Sequence, residues 1–166
     1  HRDLHSFPTR RSSDLRSKKT TTTTEEEAEK EIERLLQKSS RTFALAIPLL
    51  PAPCPRMEVG VAYLLFRIAD TFEDASCWER EKRLEAMEEF MRILKDPRHV
   101  GLKEATRGWV EARPTDHEGY LELLEKTPFV VEQLDKFSEA RKEIVIRHTI
   151  RRSEEHTSEL QSRQVI

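Results

Sequence analysis

The stretch Arg56–Asp74 constrains this chain more than any other. Read as a helix at about 100° per residue, it places Tyr63, Arg67, Asp70 and Asp74 at about 0°, 40°, 340° and 20°, one narrow stripe spaced i, i+4, i+7, i+11. Almost everything else around the circumference is apolar: Val61, Ala62, Leu64, Leu65, Phe66, Ile68, Ala69 and Phe72. A surface helix shows the reverse, an apolar stripe under a broad polar face. A helix apolar on three sides belongs in a core, and its charges must then face a polar cavity, because apolar surroundings would desolvate them at great cost. Such an arrangement is that of a site inside a helix bundle. Asp70, Glu73 and Asp74 crowd three carboxylates near a helix carboxyl end, where the macrodipole also disfavours negative charge. Arg67 offsets one of them, and hard oxygen ligands on one helix face suit Mg²⁺, which bridges carboxylates to phosphate oxygens. Spacing alone leaves a second reading open, a solvated acidic helix end beside Glu79 and Glu81.

The rest of the chain reads as a string of helices, with no strand-like alternation beyond a few residues and no internal repeat. Thr20–Thr24 is a low-complexity run, expected as a flexible leader whose last Thr caps a helix over 25–37. A second helical piece over Ser39–Leu50 runs into Pro48, Pro51, Pro53 and Pro55, where no helix continues. Further helices are expected over Glu79–Lys95, Leu102–Ala112, Tyr120–Phe137 with a bend at Pro128, and Ser138–Arg151. Only 4 Gly against abundant Glu, Lys, Arg and Leu supports an all-α class. Lys and Arg number 29 against 31 Asp and Glu, a net charge of −2 that gives no reason to expect nucleic acid. Two cysteines, Cys54 and Cys77, make no disulfide framework, and no apolar run approaches a membrane span. The expectation is a cytoplasmic chain, at most peripheral at a membrane.

Both ends stand apart. Arg152–Ser162 reads RSEEHTSELQS, the in-frame translation of a widely used sequencing adapter, and Phe7–Leu15, FPTRRSSDL, is the translation of its companion. Residues 1–15 and 152–166 are therefore set aside as adapter read-through, 16–24 as the leader, and 25–151 as the domain segment.

Three boxes then carry a resemblance. Ser39-Ser40-Arg41-Thr42-Phe43, Ile47-Pro48-Leu49-Leu50-Pro51 and Val61 through Asp74, in that order and separation, resemble the amino-terminal part of the squalene/phytoene synthase family. The likeness continues more loosely through Tyr120–Leu124 and Ile144–Arg151. It implies the all-α isoprenoid-synthase helical bundle, here its first half, with a central cavity lined by two aspartate-rich boxes. It also implies a transferase that condenses two farnesyl or geranylgeranyl diphosphates head to head, through a cyclopropyl intermediate, to squalene, dehydrosqualene or phytoene.

By the same resemblance Asp70, Glu73 and Asp74 would hold Mg²⁺ against a prenyl diphosphate. Arg41 and Arg67 would bind the diphosphate and, in squalene-forming members, lie near the phosphates of NADPH. Ser40 would place the diphosphate, Tyr63 would sit beside the reacting carbons, and Phe43 would line the prenyl pocket or simply pack in the core. The Glu in Asp-Thr-Phe-Glu-Asp is closer to squalene-type boxes. A second acidic box is missing from Trp78–Arg151, where Asp116 and Asp135 stand singly, so this segment alone is expected to be inactive and to expose apolar surface. A catalytically silent helical interaction module or assembly factor is the competing reading. His99, His117 and His148 have no shared ligand spacing and are expected at the surface, and neither cysteine has a nearby His to make it a nucleophile.

Overall fold

The structure is a computed structural model that describes residues 13–50 and 54–162. Among them are eight α-helices and no strand: α1 (Ser13–Ser39), α2 (Arg41–Ala46), α3 (Cys54–Glu73), α4 (Arg80–Lys95), α5 (Leu102–Glu111), α6 (Glu118–Glu125), α7 (Thr127–Asp135) and α8 (Glu139–Ser162), with a 3₁₀ turn at Ile47–Leu49 between α2 and α3. The all-α class stands. No helix among the described residues is long and apolar enough to cross a membrane.

α3 is the axis, packed against α1, α4, α6, α7 and α8. Its apolar arc explains this: Val61, Leu64, Leu65, Ile68, Ala69 and Phe72 are all fully buried, facing Leu35 and Leu36 of α1, Ile93 of α4, Leu124 of α6 and Val130 of α7 in one core. Gly60 permits the α1 contact, since a Cβ there would meet Ile32 Cγ2 at 2.9 Å. Around Phe72 the rings of Trp109, Phe90 and Trp78 lie at centroid distances of 4.9, 6.1 and 6.3 Å. Both indoles find acceptors as they must when buried: Trp78 Nε1 donates to the Ala112 carbonyl (2.8 Å) and Trp109 Nε1 to Glu89 (3.0 Å).

Three expectations are corrected. Thr20–Thr24 lies within α1, so Thr24 is not the N-cap of a helix beginning at Glu25; once the following turns are formed, extending a helix through Thr costs only a few tenths of a kcal/mol per residue. Tyr120–Phe137 is two helices, because Pro128 in the first turn of α7 has no N–H to give to Leu124. His99 is not a surface residue. Its side chain is 8% exposed, with Nδ1 2.9 Å from the Ile93 carbonyl and Nε2 3.2 Å from Asp135 Oδ1. His117, which caps α6, and His148 are exposed as expected. Asp135 also pairs with Lys142. Burial works against its ionisation, but Lys142 and His99 outweigh that and hold its carboxyl below the usual range.

α8 continues without a break from Glu139 to Ser162, burying Thr149, Ser153, His156 and Leu160 on one face. Arg152–Ser162 contains neither Gly nor Pro, so a helix begun at Glu139 propagates through it whatever its origin. Residues 1–12 and 163–166, with Pro51 and Pro53, lie outside the described residues. On the outer side, Phe43, Leu45 and Leu49 around α2 are exposed, and a groove of about 520 Å³ between α3 and α8 has Ala62, Phe66, Ile144 and Val145 in its wall.

α6 is tied to α1 by charge: Glu122 receives Arg34 Nη1 and Lys38 Nζ, both at 2.5 Å. These cations, Lys38 first, hold the Glu122 carboxyl below its ordinary value of 4.5. A carboxylate depressed in the folded state adds stability that is complete above that ordinary value and disappears as pH falls through the lower, folded one. The thermal midpoint should therefore fall with pH below about 4.5, and less so in Glu122→Gln. Parallel acid titrations of the two chains would show no difference if the pair contributed nothing.

Candidate active site

α3 places the site side chains where its register requires. Tyr63 and Arg67 share a face one turn apart, and Arg67 Nη2 donates to the Tyr63 hydroxyl at 2.9 Å. Arg67 Nη1 lies 3.8 Å from Asp70 Oδ2, and both side chains are 24% exposed, so the stripe borders a niche open to solvent on one side. Burial works to lower the Arg67 pKa. The Tyr63 hydrogen bond, with the charge interactions of Tyr63, Tyr120 and Asp70, outweighs it and raises the pKa, so the guanidinium stays protonated. Its Cζ stands over the Tyr63 ring at 5.7 Å and over the Tyr120 ring, from α6, at 5.4 Å.

The Ser40 box meets this face from α2. Ser40 caps that helix, its Oγ accepting the Phe43 amide at 3.2 Å. Phe43 leans its ring on Tyr63 at a centroid distance of 4.5 Å. It is 45% exposed, so it packs on Tyr63 from outside the core. The backbone of Arg41 opens α2; its side chain lies outside those described.

Farther along α3 the acidic box meets α8. His156 Nε2 is 3.1 Å from Asp70 Oδ1, and Nδ1 lies against the Glu73 carboxylate. His156 is 5% exposed, and neither its ring nitrogens nor Asp70 Oδ1 makes a well-aligned hydrogen bond. One atom from each of Asp70, Glu73 and His156 lies within 4.8 Å of the others, the one such trio among the described residues. Asp70 and Glu73 fit a divalent cation: hard oxygens, one of them a buried acceptor with no well-aligned hydrogen bond. Asp74 is not in this group. α3 ends at Glu73, and Asp74, one residue past it, is exposed, its amide donating to the Asp70 carbonyl at 2.9 Å. Arg83 of α4 satisfies the end of α3, its Nη1 donating to the Glu73 carbonyl at 3.2 Å.

Sequence reasoning missed Tyr120 and His156. No periodicity could have reported either, since each reaches α3 from a helix remote in sequence. The cysteines add nothing to the site: Cys77 is exposed, its thiol near the Arg113 and Pro114 carbonyls, and the Cys54 side chain lies outside those described.

An all-α bundle whose central helix carries an arginine and a carboxylate pair on one face belongs to the helical folds that build their sites from side chains on facing helices. The squalene/phytoene synthase family model matches residues 36–159, and the chain belongs to that family of head-to-head prenyltransferases of isoprenoid biosynthesis. Neither a curated protein nor a solved structure gives a significant match.

With its imidazole wedged between the two carboxylates, His156 competes for the space a cation would take. His156→Ala should bind Mn²⁺ more tightly than the unsubstituted chain in a paramagnetic-resonance titration. Weaker binding would instead make His156 a ligand.

Proposed function

We propose that this chain binds a prenyl diphosphate through the Ser40–Arg41 box and the Arg67–Asp70–Glu73 face of α3, as the first half of a site that couples two such molecules head to head. The observation that supports the reading best is Arg67: a charged, hydrogen-bonded guanidinium on an otherwise buried helix, between a tyrosine and an acidic pair. A fixed cation of this kind, in a niche partly shut off from water, is what a leaving diphosphate needs as charge develops on it. Asp70 and Glu73, with Asp74 at the helix end, would hold Mg²⁺, which when bound supplies further positive charge against the diphosphate.

The chain's own residues divide the remaining work. Arg67 and the Ser40 hydroxyl contact phosphate oxygens. The C1–O bond of the first substrate breaks with its electron pair leaving on the diphosphate, and the faces of Tyr63 and Phe43 shield the allylic cation from water. The double bond of the second substrate attacks that cation, and closure of the cyclopropane releases a proton to the departed diphosphate. Glu in the fourth place of the box favours C15 substrates and a squalene-type product, for which Arg41 and Arg67 would also meet the phosphates of NADPH.

Arg152–Ser162 is read as adapter translation on its residue-for-residue agreement, which makes His156 a feature of this polypeptide and leaves Asp70 and Glu73 as the family's positions. The nucleotide sequence on either side of Arg16 and Arg151 tests this directly. The exposed Leu45 and Leu49 favour the competing reading of an interaction module. Thermal shift with farnesyl thiodiphosphate, a non-hydrolysable analogue, decides between the two: stabilisation that requires Mg²⁺ and Arg67 supports the substrate site, and no shift supports the module.

A further inference from the structure

We infer that Tyr120 is a positioning residue for Arg67, its ring and that of Tyr63 together fixing the guanidinium in the pose in which it meets a diphosphate. The inference rests on the prenyl diphosphate reading above. Arg67 Cζ lies 5.4 Å from the Tyr120 ring centroid and 5.7 Å from that of Tyr63, so the cation is flanked by two aromatic faces. Only the Tyr63 side adds a hydrogen bond. A guanidinium is planar with a rigid fork of donors, so rings that fix its plane also fix the direction of the N–H groups left for a ligand.

The local sequence is built to deliver that ring. His117 caps α6, its Nδ1 accepting the Tyr120 amide at 3.3 Å, and its imidazole stacks on the Tyr120 ring at 4.0 Å. Between them Gly119 lies so close to α1 that a Cβ would meet the Lys38 carbonyl oxygen at 2.3 Å. No other residue type allows this approach. One turn on, Glu122 is gripped by Arg34 and Lys38. α6 is thereby clamped to the last turn of α1, immediately before Ser39-Ser40-Arg41. The contact that sets the ring over Arg67 therefore also anchors the start of the Ser40 box, coupling two parts of the site that lie far apart in sequence.

Calorimetric titration of the full chain with inorganic pyrophosphate in the presence of Mg²⁺ tests this. Tyr120→Leu, which keeps bulk and loses the aromatic face, should weaken binding about fivefold, while Tyr120→Phe, which keeps the face, should stay within about twofold of the unsubstituted chain. Equal loss in both variants, or none in Tyr120→Leu, overturns the proposal. Arg67→Ala serves as the reference. If it leaves pyrophosphate affinity unchanged, the diphosphate reading itself fails and this inference falls with it. If it weakens binding and Tyr120→Leu does not, only the role of Tyr120 is lost. Should Tyr120→Leu not fold, the Arg67 Nε–H resonance of the unsubstituted chain decides. Ring-current displacement retained in Tyr120→Phe supports the stack, and a solvent-like shift overturns it.

Discussion

Asp70→Asn is expected to lower the Mg²⁺-dependent affinity for farnesyl thiodiphosphate on the order of 100-fold while leaving the fold intact. Asn keeps the shape of Asp but loses the charge and one hard oxygen, the property that suits the side chain to a divalent cation. The fold should survive because Asp70 sits on the niche side of α3, partly exposed, while the apolar arc that holds the helix in place is elsewhere on the circumference. Arg67 lies 3.8 Å away and would lose a counter-charge, not a close hydrogen bond. Titration with the analogue at fixed Mg²⁺, next to the unsubstituted chain, gives the ratio. An affinity within about threefold, a difference of well under 1 kcal/mol, would remove the acidic box from the site.

Phe72→Ala should destabilise the chain by about 3 to 5 kcal/mol and lower the thermal midpoint by roughly 10 °C. Phe72 is fully buried, with the rings of three residues, Trp109, Phe90 and Trp78, around it. Its removal forfeits both the transfer of a large side chain from water and the edge contacts of the cluster. Collapse cannot refill the space cheaply, because both neighbouring indoles are held by hydrogen bonds, to Ala112 and to Glu89. The same residue lies one position before Glu73, so the cavity would also loosen the end of the helix that carries the acidic box. Denaturant unfolding followed by tryptophan fluorescence reads the change directly. A loss below about 1 kcal/mol would mean the cluster is not the centre of the core.

Asp70 and Phe72 are both legible in the amino-acid sequence, and for the same reason. α3 announces itself through a 3.6-residue periodicity, a property of consecutive residues that needs no knowledge of what the helix packs against. The helices ending at Lys95 and Glu111 are equally legible from their apolar stripes and the Pro97 and Pro114 that follow them. What local patterns cannot supply is the end of a helix in its surroundings. Asp74 keeps the last helical bond, its amide to the Asp70 carbonyl, but lies exposed one residue past Glu73, whose own carbonyl Arg83 takes up.

The sequence by itself determined the all-α class, the family, and the order of Tyr63, Arg67 and Asp70 along one face with Glu73 beside them in the acidic box, because each depends on spacing within a single helix or box. Tertiary structure alone decided which side chains come to that face from elsewhere: Phe43 onto Tyr63, Tyr120 over Arg67, and His156 between Asp70 and Glu73. These contacts join residues separated by 20 to more than 80 positions. They are set by how closely the helices approach, as at Gly60 and Gly119, and by the charge clamp on Glu122, neither of which has a period that can be read along the chain.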